Sequence, residues 1–450
     1  MKLPEKFELR MKNMLGKEYT NFIKAMEENP VYAGIRINRK KDNAKNYVLS
    51  EFGECEKIPW CSDGYYVNRE NVSGNHPYHI AGIFYFQEPS AMSTVSAINI
   101  NEDDFVLDLC AAPGGKSTQA AAMIGNGGLL VANEIVKNRA NILSENIERM
   151  GISNAVVTNE TPQRLAEKYP NFFDKIIVDA PCSGEGMFRK EPQAVEEWSV
   201  EHTVSCGVRQ KNILDSAVKM LKGGGYLLYS TCTFAPEENE QVCAYLLQNY
   251  NLELVKPQNL DMLDSGKTEW SNSEFDVSYT RRIFPHKQKG EGHFVAVFKN
   301  NDVTESETAK RKIKNCDGEK LYRDFEKEFL NTNLKGEFCM FGENLYLKPE
   351  SIDIDKIKVV RAGLHLGLCR KGRFIPSHAL CLALSKNDFK NTVNLSCKSS
   401  EIKKYLMGET LECDKKGWCC VLVDGFPIGW GKSSAGVLKN HFPKYMRLKK

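Results

Sequence analysis

Residues 104 to 300 predict an α/β domain with a doubly wound, largely parallel sheet. Apolar strand-like runs alternate there with helical stretches at intervals of about 20–30 residues. Glycine-bearing turns join strand to helix, as in LDLCAAPGGKST. The composition, 42% hydrophobic and 26% charged, is that of a folded globular chain. At roughly 100–200 residues per domain, the 450 residues make two to four domains.

The elements follow in order. FVLDLC is a buried-strand run, followed by a Gly/Pro turn and a helix through Gln119 to Met123. LLVAN, AVVT and DKIIVDAP read as the next strands, with a helix from Lys137 to Met150 after the first of them. A helical stretch from Val208 to Leu221 leads through GGG into YLLYST, and RIFPH and FVAVF predict an antiparallel finish. Ahead of this domain, Phe7, Met11, Met14 and Leu15, then Phe22, Ile23 and Met26, have helical spacing. The stretch from Trp60 to Gly82 predicts short strands and loops. Behind it, residues 301–320 are polar and charged, a linker signature. VVRAGLHLG and WCCVLVDGFPIGWGK then predict a small β-rich closing module. The expected division is an N-terminal extension over 1–99, a catalytic domain over 100–300, a linker over 301–320, an intermediate domain over 321–385 and a β-rich module over 386–450.

Lys plus Arg number 61 against 58 acidic residues, so basic surface must be local. The last fifty residues hold ten Lys/Arg against five Asp/Glu. Fifteen cysteines without a CxxC pair predict free thiols in a reducing cytoplasm and no metal site. No apolar run has the length of a signal segment or membrane span, and nothing demands more than a monomer.

Three segments carry candidate chemistry, each at a strand end where open sheets bind ligands. In the first, Cys110, Ala111, Ala112, Pro113, Gly114, Gly115 and Lys116 form the turn. A P-loop would need glycine where Cys110 stands. The alternative is an S-adenosylmethionine (AdoMet) turn, with Glu134 after the next strand placed for the ribose hydroxyls. A turn without a ligand is the bland reading. The second segment, DAPCSGEG, presents Asp179 and Cys182, and the third, YSTCTFAPEENE, presents Cys232. Either cysteine alone is more often a small buried apolar residue than a nucleophile. Two beside one cofactor crevice suit thiolate attack at C6 of a pyrimidine, which makes C5 nucleophilic toward a methyl donor.

CAAPGGK, DAPCSGEG and YSTCTFAPEENE together resemble the cytosine-C5 RNA methyltransferases, the family of bacterial rRNA enzymes and their eukaryotic nucleolar relatives. HIAGIFYFQEPSAM, RRIFPHKQKGEGHFVAVF and IRIN are similar to further family segments. HALCLAL and VDGFPIGWGK…GVLKNHFPKYMR resemble the PUA-related tail of its small-subunit methyltransferase F group. The resemblance implies a Rossmann-like AdoMet-dependent domain with an N-terminal RNA-binding extension and a C-terminal PUA-like module. It implies that Cys110 to Lys116 wrap the AdoMet methionine, that Glu134 binds the ribose and that Asp179 lies at the transfer site. Cys232 would be the nucleophile, Cys182 would assist product release, and Lys190 would stand near the target base. The substrate would be 16S rRNA, free or in the assembled small subunit.

One position departs from the family. Its usual adenine-contacting Asp aligns with Thr161, flanked by Asn159 and Glu160. Three other readings stay open on the sequence: a transfer-RNA target, a silent RNA-binding or assembly factor, and a P-loop nucleotidase. His79, His286 and His293 read as structural or RNA-contacting, and Trp418, Phe426 and Trp430 as module core.

Overall fold

The computed structural model describes residues 3–70, 72–303 and 316–449. The central sheet runs from edge to edge as Asp264–Ser265, Arg281–Ile283, His293–Asn300, Leu221–Thr231, Phe173–Asp179, Phe105–Asp108, Leu129–Asn133, Ala155–Thr158 and Val359–Ala362. Strand Leu252–Val255 pairs with His293–Asn300 off that path. The five strands from Leu221–Thr231 to Ala155–Thr158 are parallel. Chain order reverses direction at Phe105–Asp108, which opens a crevice beyond its carboxyl end. Both faces of the sheet are covered, by Val106, Leu130, Leu143 and Ile177 on one side and Leu107, Val131, Ile176 and Leu214 on the other. Strands buried on both faces explain why LLVAN and AVVT are continuous apolar runs.

The last parallel strand is not the edge. Val359–Ala362 pairs antiparallel with Ala155–Thr158, so the first half of VVRAGLHLG completes the catalytic sheet. Only the second half, in Leu364–Arg370, joins the four-stranded sheet with Glu337–Phe341, Asn344–Lys348 and Arg373–Pro376. Two valines and an apolar flank look alike in either sheet, which is why the sequence assigned the whole run to the closing module.

The N-terminal helices Glu5–Leu15 and Tyr19–Glu28 bury Phe7, Met11, Phe22 and Met26 against Phe188, Trp198, Phe234 and Phe284 of the catalytic domain. Each such fully buried aromatic or aliphatic side chain contributes about 1.5–3 kcal/mol. The three-stranded sheet of Gly64–Val67, Ala33–Ile37 and Phe84–Phe86 shares a core with the C-terminal five-stranded sheet, where Ile35, Val48 and Phe84 meet Tyr405, Val421 and Ile428. Tyr78 donates its hydroxyl to Asp424 at 2.9 Å across that junction. The two ends of the chain are therefore packed together. Most of the expected linker, 304–315, lies outside the described residues, and helix Gly318–Phe329 begins within its last part. Among the described residues no helix is long and apolar enough to cross a membrane.

Candidate active site

A cleft of about 1180 Å³ opens at the carboxyl ends of the parallel strands. Its walls include Cys110, Ala112, Glu134, Asp179, Cys182 and Cys232, brought together from four strand ends.

The glycine turn is built by its own geometry. Gly114 has φ +116°, where any side chain would be strained, and a Cβ there would stand 3.2 Å from Leu143. Helix Gly115–Ala121 starts directly after it. Ser117 donates to Asp108 at 2.6 Å, while the other oxygen of Asp108 is buried with no partner. Burial pushes the Asp108 carboxyl up to about 7, against the Ser117 bond. Burial likewise pushes the Cys110 thiol up, so it is a packing group at neutral pH. Glu134 is buried, accepts the Val136 amide at 2.9 Å and pairs with Arg139 at 3.4 Å. Ile135 and Val136 beside it are exposed apolar residues of the cleft wall. A small-residue turn, a nearby carboxylate and apolar walls fit the methionine, ribose and base of AdoMet.

Lys116 reaches across the crevice to Asp179, Nζ to Oδ2, at 2.7 Å. Ser230 donates to the other oxygen at 2.8 Å, and His293 Nε2 stands 3.8 Å from it. Burial alone would raise Asp179, but the Lys116 ammonium, His293 and the Ser230 bond outweigh it and hold the carboxyl below its usual range. His293 is itself lowered to about 4, by burial first and then by Lys116, so it is neutral here and bonds to Thr94 at 3.0 Å.

The Sγ atoms of Cys182 and Cys232 lie 3.3 Å apart. The bond to Cys232, with burial, raises the Cys182 thiol well above its ordinary value, so Cys182 keeps its proton. The loop carrying Cys182 is fixed by Glu238, which accepts the Ser183 amide and hydroxyl and Gln210 Nε2. Gly186 lets that loop close on Cys232: its amide donates to the Cys232 carbonyl at 2.8 Å, and a Cβ would collide with that oxygen. Beneath it, Glu185 accepts from Trp198 at 2.8 Å and from Arg10 of the N-terminal helix at 3.0 Å. Glu185, Glu238 and His293 were not singled out as site supports by the sequence, because their partners lie far away in the chain.

Two expected residues have neighbours on the cleft wall but do not line it themselves. Lys190 does not line it and pairs with Glu291 at 3.7 Å, beside the Arg189–Glu291 bridge. Thr161 caps helix Pro162–Lys168 by accepting the Arg164 amide at 3.3 Å, and the cleft wall there is Pro162 and Gln163. Trp418, Phe426 and Trp430 are buried core, as are Cys419 and Cys420. Among the described residues no group of three or more His, Cys, Asp or Glu is placed to hold a metal ion.

Four family models match in succession: the N-terminal domain of 16S rRNA methyltransferase RsmF over 3–89, 16S rRNA methyltransferase RsmB/F over 95–299, the RsmF first C-terminal domain over 324–384 and the RsmF PUA domain over 391–448. Ribosomal RNA small subunit methyltransferase F of Vibrio vulnificus is 31% identical over 98% of this chain and 97% of its own. The protein of that name from Shewanella piezotolerans is 33% identical over 92% of this chain and 91% of its own. The chain belongs to the small-subunit rRNA methyltransferase F family. It is an AdoMet-dependent RNA methyltransferase, and the nucleotidase reading of the glycine turn falls away. Among solved structures, a methyltransferase homolog protein from Pyrococcus horikoshii is 28% identical with TM-score 0.59, over 66% of this chain and 95% of that one. NSun6 from Pyrococcus horikoshii, crystallised with an AdoMet analogue, is 22% identical with TM-score 0.56, over 66% of this chain and 98% of that one, and shares the fold.

Proposed function

We propose that this enzyme methylates C5 of cytosine in 16S ribosomal RNA through a transient bond between Cys232 and C6 of the base. The observation that carries the reading is the meeting of two thiols, 3.3 Å apart, in the cleft that the glycine turn also lines. Cys232 is assigned as the nucleophile from the resemblance of YSTCTFAPEENE to the family motif that carries the attacking cysteine, with Cys182 of the earlier motif as its partner. The Cys232 sulfur bonds to C6, and the electron pair of the C5–C6 double bond moves to C5. Bound AdoMet supplies an electrophilic methyl group, which C5 takes. The C5 proton then leaves to a base, the C6–S bond breaks and the double bond re-forms. Cys182, beside the departing sulfur, assists that release. Asp179, held ionised by Lys116, accepts a hydrogen bond from the cytosine edge and orients the ring. The target cytosine must be unstacked to meet the thiol from above its plane.

The N-terminal region 1–99 and the modules over 321–385 and 386–450 are assigned to gripping RNA, which contacts at phosphates make salt-dependent. The enzyme would act in the cytoplasm as a monomer. The names and full-length match of the relatives support 16S rRNA as the substrate. The test is transfer of labelled methyl from AdoMet to small ribosomal subunits, to their naked RNA and to bulk transfer RNA, followed by digestion to nucleosides. Label in 5-methylcytidine from either small-subunit sample is the expected result, and the stronger of the two identifies the substrate form. Label confined to transfer RNA, or to another nucleoside, would overturn the assignment.

A further inference from the structure

The geometry points to Gln163, with Asn212 facing the same cleft, as the residue that reads the adenine edge of AdoMet, since neither Glu160 nor Thr161 lines that cleft. Of the aligned segment, only Pro162 and Gln163 line the cleft, while the residues before them bond elsewhere. Asn159 Nδ2 donates to the carbonyls of Glu134 and Ile135, at 2.7 and 2.9 Å. Glu160 Oε1 accepts the Lys358 amide at 2.8 Å, and the Asn159 amide donates to the Lys358 carbonyl at 2.9 Å. Thr161 is the helix cap. Two further bonds continue the same strap: Arg164 donates to the Lys356 carbonyl, and Lys168 pairs with Asp353 at 2.7 Å. Docking of the C-terminal strap thus holds Glu160 and the segment around it toward residues 353–358.

What remains at that end of the cleft suits a purine. Ile135, Val136, Pro162 and Ile213 give apolar walls for the ring faces, next to the Glu134 carboxylate for the ribose. The Gln163 and Asn212 carboxamides line the same cleft and make no hydrogen bond to another described residue. A carboxamide presents one acceptor and one donor side by side, matching the N6 amino group and the ring nitrogen next to it. A carboxylate at this place could only accept. Gln163 sits on the second residue of helix Pro162–Lys168, the element nearest the Glu134 loop, and so carries the larger share.

The experiment measures binding of S-adenosylhomocysteine to the full chain by calorimetry, beside its 1-deaza and 7-deaza adenine analogues. Each analogue removes one ring nitrogen, so whichever binds more weakly identifies the edge that is read. The wild type is expected to lose about tenfold with one analogue. Gln163→Ala should weaken the natural ligand about tenfold and lose most of the discrimination, while Asn212→Ala keeps most of it. Gln163→Ala binding as the wild type does would overturn the assignment. So would a loss of affinity that leaves the discrimination intact, because that marks a structural effect. Failure of the wild type to bind S-adenosylhomocysteine at all would strike the cofactor reading instead.

Discussion

The chain holds two thiol pairs of nearly equal spacing, Cys182 with Cys232 at 3.3 Å and Cys381 with Cys420 at 3.4 Å. The first pair lines an open cleft, half-buried, beside the Lys116–Asp179 ion pair. The second is fully buried, packed among Leu380, Trp418 and Trp430. Burial raises Cys420 well above its ordinary value, so it stays a neutral packing group. Proximity of two sulfurs is thus not the signal. Access to a cleft and charged neighbours that can steer a reaction separate chemistry from packing.

The largest expected effect breaks the first pair. Cys232→Ala should lower methyl transfer by on the order of 10⁴-fold or more while AdoMet still binds, as single-turnover assays and calorimetry would show. Cys182→Ala should instead trap the RNA on the protein, seen as a band that survives denaturation. Adduct with Cys232→Ala and none with Cys182→Ala would reverse the two roles. Cys420→Ala tests the second pair, with a cost of about 1–2 kcal/mol in denaturant unfolding and unchanged turnover per folded molecule. A brief maleimide pulse on the native protein should label Cys232 well before Cys420, read by peptide mass spectrometry.

The smallest effect sits on the support of the catalytic loop. Burial pushes Glu238 up to about 7 against an ordinary 4.5. The folded state therefore holds that proton longer than the unfolded one. The stability it contributes is full below pH 4.5 and is lost as pH rises through 7. Glu238→Gln should flatten the fall in melting temperature between about pH 5 and 7, and an unchanged slope would show that another group governs it.

The sequence made the catalytic sheet legible because its strands are buried on both faces and its turns carry glycine. LLVAN and AVVT match Leu129–Asn133 and Ala155–Thr158 residue for residue. The cleft residues Cys110, Glu134, Asp179, Cys182 and Cys232 were legible for the same reason, each standing at the end of such a strand or within three residues of it. What stayed hidden depends on contacts between distant segments. Helix Val200–Met220 begins eight residues earlier than its apolar pattern from Val208 suggests; Ser199 caps it, and its first turns pack on Arg10 and Glu237 from distant parts of the chain. The Glu160–Lys358 bond and the core shared by Val48 and Val421 join residues that no local period can connect. The pairing of Lys190 with Glu291 is another contact of this kind.

The strand Val359–Ala362 gives synthesis of this protein a schedule. The edge of Ala155–Thr158 that it covers leaves the ribosome roughly 200 residues ahead of it, so at 5–20 residues per second the gap lasts roughly 10–40 s. Throughout that interval an apolar strand presents unpaired backbone groups to every neighbouring nascent chain. The same holds permanently for any product cut short before residue 359. Truncation from the carboxyl end therefore costs more than a grip on RNA: it leaves the catalytic half with an adhesive rim, and quality control would meet such fragments as aggregates rather than as slow enzymes.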